Sequence, residues 1–331
     1  MKSQDLDTIF EQFNHLNALV IGDVMVDSYM WGEISRMSPE APVPVVAVTK
    51  KENRPGGAAN VALNIQALGA NPILCSVIGN DHTGNQVIEL LKQQNLPQHG
   101  IIQDNDRLTT VKTRVIAEGK HQLRVDEEIE IDISSVLERK LISIVTELLE
   151  TEKIDVIIFE DYNKGVLTKF VIKTIIELAN SKEIPTVVDP KKKNFLSYKN
   201  CTLFKPNLKE LNEGLSIDVN PADKNSLFNG LEKLRSEIHF KNALITLSEL
   251  GIAINDGKKS FVFPAYKRNI LDVSGAGDTV LSVAALCLAL NLSNKLIACL
   301  SNLSGGLVCE KVGVVPINKD RLYKEASIFI D

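Results

Sequence analysis

Short runs rich in β-branched and apolar residues alternate along this chain with stretches whose apolar positions recur every three or four residues. The runs Ala18 to Ile21, Ile73 to Ile78, Val156 to Phe159, Thr186 to Val188, Leu203 to Lys205 and Ala243 to Leu247 predict buried strands. Between them, helical spacing predicts helices over Ala58 to Leu68, Gly84 to Gln94, Ile133 to Glu150, Lys169 to Ser181, Leu208 to Leu215 and Asn225 to Ile238. Repeated strand–helix alternation predicts an α/β fold, a doubly wound and mostly parallel sheet flanked by helices, with ligand loops at the carboxyl ends of the strands.

Two segments break the alternation. One covers about 29–49, with Trp31 and the run from Ala41 to Val48; the other covers about 109–125, where Thr110 to Ile116 and Gln122 to Val125 flank Glu118-Gly119-Lys120 and predict a hairpin. Neither leaves room for a crossover helix. Both are expected to form a small β lid on the main sheet, able to close over a ligand or to pair with another subunit. No repeat, low-complexity tract or long linker divides the chain, so 1–331 is expected to be one domain with the lid segments inserted.

Composition narrows the functional classes. With 44% hydrophobic residues in 331, a large core is available; a net charge of -5, from 37 basic and 42 acidic residues, argues against nucleic acid or an anionic membrane as partner. The five cysteines form no C-x-x-C and their number is odd, which predicts reduced, buried thiols and a cytoplasmic location. Met1 to Asn17 is unlike a signal peptide, and the apolar stretch near Val280 to Leu290 is too short to span a bilayer. The five histidines show no metal-ligand spacing, so acid–base work is assigned to carboxylates.

The strongest chemical signal is Asp272-Val273-Ser274-Gly275-Ala276-Gly277-Asp278-Thr279, which runs directly into an apolar helical stretch. Small residues at a helix start let main-chain amides converge on an anion, and the helix dipole favours it. Gly275, Ala276 and Gly277 are the expected donors, and Asp278 beside them is the expected base for a hydroxyl that accepts a phosphoryl group. An ordinary glycine loop with Asp278 as a cap is the plainer alternative.

Other loops share an order with this turn: Gly22-Asp23 and Asp27, Pro55-Gly56-Gly57-Ala58-Ala59-Asn60, Gly79-Asn80-Asp81, Lys205-Pro206-Asn207 with Glu210, and Thr246 to Gly251. Together they resemble the ribokinase-like (PfkB) carbohydrate kinases over nearly the whole chain. That resemblance implies ATP as phosphoryl donor, Mg²⁺ held largely through water near Asn207 and Glu210, and nucleotide contacts from Asn207, Thr246, Ser248, Gly251 and Asn302. It implies sugar contacts from Asp23, Asp27, Gly56, Gly57 and Asn60. Asp23 and Asp27 as loop caps, Asn207 as a helix cap and Glu210 as a solvated helix residue remain the alternatives.

Within the family, Met37 to Val45, Gly56 to Ala62, Thr109 to Arg114 and Asp161 to Leu167 are similar to the bacterial heptose 7-phosphate kinases, the kinase part of bifunctional ADP-heptose synthases. The resemblance implies phosphorylation of the anomeric O1 of D-glycero-β-D-manno-heptose 7-phosphate, for lipopolysaccharide core synthesis. No H-x-G-H signature follows the kinase pattern, so one step rather than two is expected. A distal phosphate demands cations: Lys112 and Arg114 share a parity on one strand, Arg124 lies on the returning strand, and Lys191 follows Asp189-Pro190. Lys192 and Asn163 stand where the family usually has glycine, and Val314 where it usually has threonine. Kinases for fructose 1-phosphate, tagatose 6-phosphate or ribose, and a non-catalytic sugar or nucleotide sensor, remain open. A nicotinamide dehydrogenase is disfavoured, because Gly22-Asp23-Val24 supplies no G-x-G-x-x-G. Apolar Val43, Val45, Val46 and Trp31 on the lid suggest a homodimer.

Overall fold

A computed structural model describes residues 3–329. In chain order the strands are β1 (Asn17–Gly22), β2 (Val24–Met37), β3 (Pro44–Gly57), β4 (Asn71–Gly79), β5 (Ile101–Asp104), β6 (Thr110–Ala117), β7 (Lys120–Glu127), β8 (Val156–Glu160), β9 (Thr186–Asp189), β10 (Leu203–Phe204), β11 (Asn242–Thr246), β12 (Ile252–Asn255) and β13 (Ser260–Phe263). The helices are α1 (Ser3–Gln12), α2 (Ala58–Ala67), α3 (His82–Gln93), α4 (Ser135–Thr151), α5 (Lys169–Ser181), α6 (Leu208–Leu215), α7 (Lys224–Ile238), α8 (Ala276–Ala289), α9 (Asn294–Val308) and α10 (Lys319–Phe329).

The main sheet has the order β13-β12-β11-β10-β9-β8-β1-β4-β5, parallel from β11 to β5, with an antiparallel β11–β12–β13 meander at one edge. Two cores cover its faces. Helices α1, α2, α3, α8, α9 and α10 pack on one side, burying Leu281, Leu286, Val61 and Leu300, among others; α4, α5, α6 and α7 pack on the other around Phe159, Ile175, Leu211 and Leu231. The interior strands are apolar on both faces, which is why Val156 to Phe159 reads as a continuous apolar run. Helix α8 is buried from Asp278 to Leu288, because it lies between the sheet, α2 and α9 rather than at the surface.

A second sheet, ordered β3-β2-β6-β7, takes in more chain than the segments 29–49 and 109–125. Its long β2–β3 hairpin leaves the main sheet directly after β1 and returns directly into α2. The β6–β7 hairpin is paired parallel to β2 through β6. Register places Asp27 between Arg54 on β3 and Lys112 on β6, and places Tyr29 beside Arg114, which in turn faces Arg124 on β7. These side chains therefore share one face of the small sheet.

No helix among the described residues is long and apolar enough to cross a membrane. All five cysteines are buried and unpaired.

Candidate active site

Register assembles the site at the carboxyl edge of the main sheet. Gly22, Glu160 and Asp189 are neighbours across β1, β8 and β9, and Lys205, one residue beyond β10, comes next in the row. Strand alternation aims all of them at the α8 side, since Ala18, Val20, Val156, Ile158, Val187 and Leu203 of the same parity belong to that core. The amino terminus of α8 stands over this row. A Cβ added at Gly277 would lie 3.7 Å from Asp189 Oδ2 and 3.9 Å from Lys205 Nζ.

Asp278, in the first turn of α8, is only 5% exposed. Asn60 Nδ2 donates to its Oδ2 at 2.6 Å and Tyr162 Oη donates to its Oδ1 at 3.0 Å, so the carboxylate is fixed from two sides. Burial pushes its pKa up to about 6; the Asn60 and Tyr162 hydrogen bonds oppose this, while the charges of Asp189 and Asp27 add to it. The group is thus ionised at neutral pH yet basic enough to take a proton. As a base it must be charged, so turnover should be full above this value and fall as pH drops through about 6. Tyr162→Phe, which removes a hydrogen bond to the ionised form, should move that acid limb of the kcat profile to higher pH; an unchanged limb would contradict the assignment.

The turn before α8 is built for an anion, with one change from expectation. Gly275 has φ 77°, a left-handed conformation that an L side chain adopts only at a cost, and its would-be Cβ would crowd Asn60 Nδ2 at 3.1 Å and Val314 Cγ1 at 3.3 Å. Among the described residues the amides of Gly275, Gly277 and Asp278 have no protein partner, whereas Thr279 N already donates to Gly275 O. The Ala276 amide does not join them: it turns back to Val273 O at 3.3 Å, closing the loop. The donor set is therefore Gly275, Gly277 and Asp278.

Around the sugar side, the predicted residues divide. Asn60, in the first turn of α2, reaches Asp278 directly. Asp27 is buried over Gly56, close enough that any Cβ there would clash with its carboxylate, and it is ion-paired with Arg114. Gly57, with φ 60°, passes against the Asp23 carbonyl. Asp23 itself has another task. Its carboxylate accepts the amides of Tyr162 at 2.8 Å, Lys164 at 3.0 Å and Val166 at 3.1 Å, so it organises the 162–166 loop instead of facing a ligand. That loop delivers Tyr162 to Asp278. Asn163, where glycine was expected, has φ 57°, a conformation asparagine tolerates, with its amide on Asp161 Oδ1 at 2.8 Å. Lys192 starts a 3₁₀ turn (Lys192–Ser197) without a positive φ, so no glycine is required there.

The proposed phosphate clamp is on one face, as its parity predicts, but each member has a carboxylate partner. Lys112 Nζ meets Asp126 at 3.1 Å and Glu128 at 2.8 Å; Arg114 meets Asp27; Arg124, with its side chain 58% exposed, meets Asp126 at 3.0 Å. Lys191 is elsewhere. It pairs with Glu210, stands 3.7 Å from Asp189 Oδ1 and 5.4 Å from the Tyr162 ring centre, which puts it at the phosphoryl-transfer end. The sequence reading missed Arg54. Its Nε bonds Glu52 at 2.6 Å, Nη1 bonds Val314 O at 2.8 Å, and the guanidinium lies 4.9 Å from the Tyr29 ring centre, with Arg114 at 5.4 Å from the same ring. The shared parity of Arg54 and Gly56, with Asp27 the strand partner of Arg54, was the available signal. Val314 closes the join to α8: its amide donates to Tyr29 Oη at 2.9 Å while its side chain packs at Gly275.

On the nucleotide side, Asn207 and Thr246 are bridged in parallel, which brings α6 beside the β11 end. Asn207 caps α6 in a reciprocal capping box: Glu210 N donates to Asn207 Oδ1 and Asn207 N to Glu210 Oε2, both at 2.8 Å. Glu210 is not solvated, because Oε1 holds Lys191. With these oxygens engaged, the pair fits water-mediated rather than direct metal contact. Ser248 (φ 53°) and Gly251 (φ 99°) form the tight turn after β11. Asn302 lies on α9 and donates to Pro264 O at 2.8 Å, tethering the segment after β13.

The profile of the pfkB family carbohydrate kinases matches residues 16–321 of this chain. The chain belongs to that family. It is an ATP-dependent sugar kinase with a ribokinase-like fold. A curated relative, the bifunctional protein HldE of Aliarcobacter butzleri, is 40% identical over 311 residues, which is 94% of this chain but 64% of the relative. This chain therefore spans about two thirds of the length of that relative. Phosphofructokinase-2 from Escherichia coli, in complex with substrates and products, superposes with a TM-score of 0.76 at 19% identity, covering 94% of this chain and 99% of that one. Arabidopsis thaliana ribokinase, complexed with ribose and ATP, gives 0.69 at 15% identity, covering 93% and 98%. Both structural likenesses speak to the fold.

Proposed function

We propose that this kinase transfers the γ-phosphoryl group of ATP to the anomeric O1 of D-glycero-β-D-manno-heptose 7-phosphate. The observation that carries the reaction is Asp278, held by Asn60 and Tyr162 under the unpaired amides of Gly275, Gly277 and Asp278. As the bond from the sugar oxygen to phosphorus forms and the bond to ADP breaks, the O1 proton passes to the Asp278 carboxylate. The α8 amides and Lys191 then stabilise the charge gathering on the phosphoryl oxygens. Asn207 and Glu210 would hold the water shell of a nucleotide-bound Mg²⁺, which would supply positive charge against the phosphates. Ser248 and Gly251 approach the ATP, and Asn302 borders the adenine. Asp27, Gly56, Gly57 and Asn60 receive the sugar.

The sugar's second phosphate is assigned to the face of the small sheet. Arg54 and Arg114 bracket Tyr29 there, and among the described residues Nη2 of each has no protein partner. Likeness to HldE-named relatives supports heptose over other sugars. Apolar Val43 and Val48 on the same hairpin support lid-to-lid pairing of two subunits.

The deciding assay incubates ATP, Mg²⁺ and heptose 7-phosphate and locates the new phosphate by ³¹P NMR, beside fructose 1-phosphate, tagatose 6-phosphate and ribose. A new anomeric phosphate on heptose is expected. Turnover of another sugar with none on heptose would overturn the assignment. Arg54→Gln should raise KM for heptose 7-phosphate about 10- to 100-fold, the loss of one charge-assisted contact, with little change in kcat. An equal fall in kcat would place Arg54 at the reacting end instead.

A further inference from the structure

Beneath α8 the row that carries Asp278 holds carboxylate oxygens that no hydrogen bond accounts for. Glu160, at the end of β8, is completely buried, and neither Oε1 nor Oε2 has a partner; Asp189 Oδ1 is also unpartnered. One carboxylate oxygen each from Glu160, Asp189 and Asp278 lies within 4.8 Å of the others, so the three side chains converge on one gap. The neighbouring cations are committed. Lys205 Nζ binds the other oxygen of Asp189 at 2.8 Å, and Lys191, paired with Glu210, stands 3.7 Å from Asp189 Oδ1, beyond hydrogen-bond reach. Both oxygens of Asp278 accept one bond, from Asn60 and Tyr162, and each keeps a second lone pair.

A carboxylate buried without donors must either take up a proton or be joined by a cation. Oxygen-only donors suit a hard ion, and three carboxylates around one gap call for more than a single positive charge. We infer that the gap between Glu160, Asp189 and Asp278 binds one divalent cation, Mg²⁺ or Mn²⁺, with Glu160 and Asp189 as ligands and Asp278 as the third wall. This site is distinct from the Asn207–Glu210 pair, whose oxygens are spent on each other and on Lys191. Its use rests on the phosphoryl-transfer reading: a cation below the α8 amides adds positive charge where the transferred group is negative. Its existence does not.

Mn²⁺ is the probe. Titration of nucleotide-free wild-type enzyme, followed by the loss of free Mn²⁺ signal in EPR, should show one site per chain. Glu160→Gln should weaken that site at least about 10-fold while circular dichroism, melting temperature and ATP binding stay as in wild type. No Mn²⁺ bound without nucleotide, or equal affinity in both proteins, would overturn the inference. Should Glu160→Gln fail to fold, anomalous scattering from wild-type crystals soaked in Mn²⁺ decides. A peak among Glu160, Asp189 and Asp278 supports the site; a peak only at Glu210, or none, rejects it. Because binding is read without sugar or turnover, failure here leaves the heptose assignment standing, and failure of the heptose assay leaves this site standing.

Discussion

Asp278→Asn should bind ATP and sugar phosphate with near wild-type affinity and lose at least about 100-fold in kcat, the lower end for removal of a general base. The amide is the same size as the carboxylate. Its oxygen still accepts from Tyr162, and rotation of the Asn60 amide satisfies its new N–H, so the buried site keeps its shape. What disappears is the group that receives the O1 proton. Single-turnover measurement with saturating substrates separates the chemical step from product release, and near-normal turnover there would remove Asp278 from the mechanism. A rise in KM with kcat preserved would give the residue a binding role instead.

The main sheet was legible because its strands are buried on both faces: Val156 to Phe159 and Ala243 to Leu247 allow few other readings, and Lys169 to Ser181 and Leu208 to Leu215 coincide with α5 and α6. The β12–β13 edge was not read. Its four-residue strands, Ile252–Asn255 and Ser260–Phe263, are too short for periodicity to separate from loop. The polar segment Met1 to Asn17 likewise hid α1, whose apolar face of Leu6, Ile9 and Phe10 is narrow. Beyond composition, the lid's parity was readable and its extent was not, since β2 and β3 continue into the core as Val24 to Val26 and Pro55 to Gly57.

At the site, motif residues were found and their partners were not. Asp278, Asn60 and the Gly275 turn are visible as local patterns, but the contact between Asn60 and Asp278 spans 218 positions, and nothing local announces it. Asp23 shows the converse. A carboxylate after the first strand suits a sugar ligand or a loop cap equally, and only the three amides of the 162–166 loop decide for the cap. Glu160 carried no signal, because a single acid closing an apolar strand looks like an ordinary solvated strand end until register places Asp189 beside it.

Lys205→Met should destabilise the folded protein by about 3–5 kcal/mol, the cost of breaking a buried ion pair by removing one partner. Lys205 is only 2% exposed, and its ammonium binds Asp189 Oδ2 at 2.8 Å. Burial opposes the charge on Lys205, yet the Asp189 and Glu210 carboxylates more than compensate and hold its pKa above the usual lysine range. Methionine fills the same volume, so the loss would be electrostatic: Asp189 would keep Lys191 only at 3.7 Å, beside the charge of Asp278. Urea denaturation in EDTA measures the effect without added cation. Asp189→Asn in the same background should restore most of the stability, since two neutral groups leave no orphaned charge. If the double variant is as unstable as Lys205→Met, packing rather than charge holds this row together, and Lys205 serves the fold as a space-filling stem. Recovery of stability without recovery of turnover would instead separate the two duties of the row, in which Lys205 holds the Asp189 carboxylate in place under the α8 amides and Asp189 in turn helps to keep Asp278 basic.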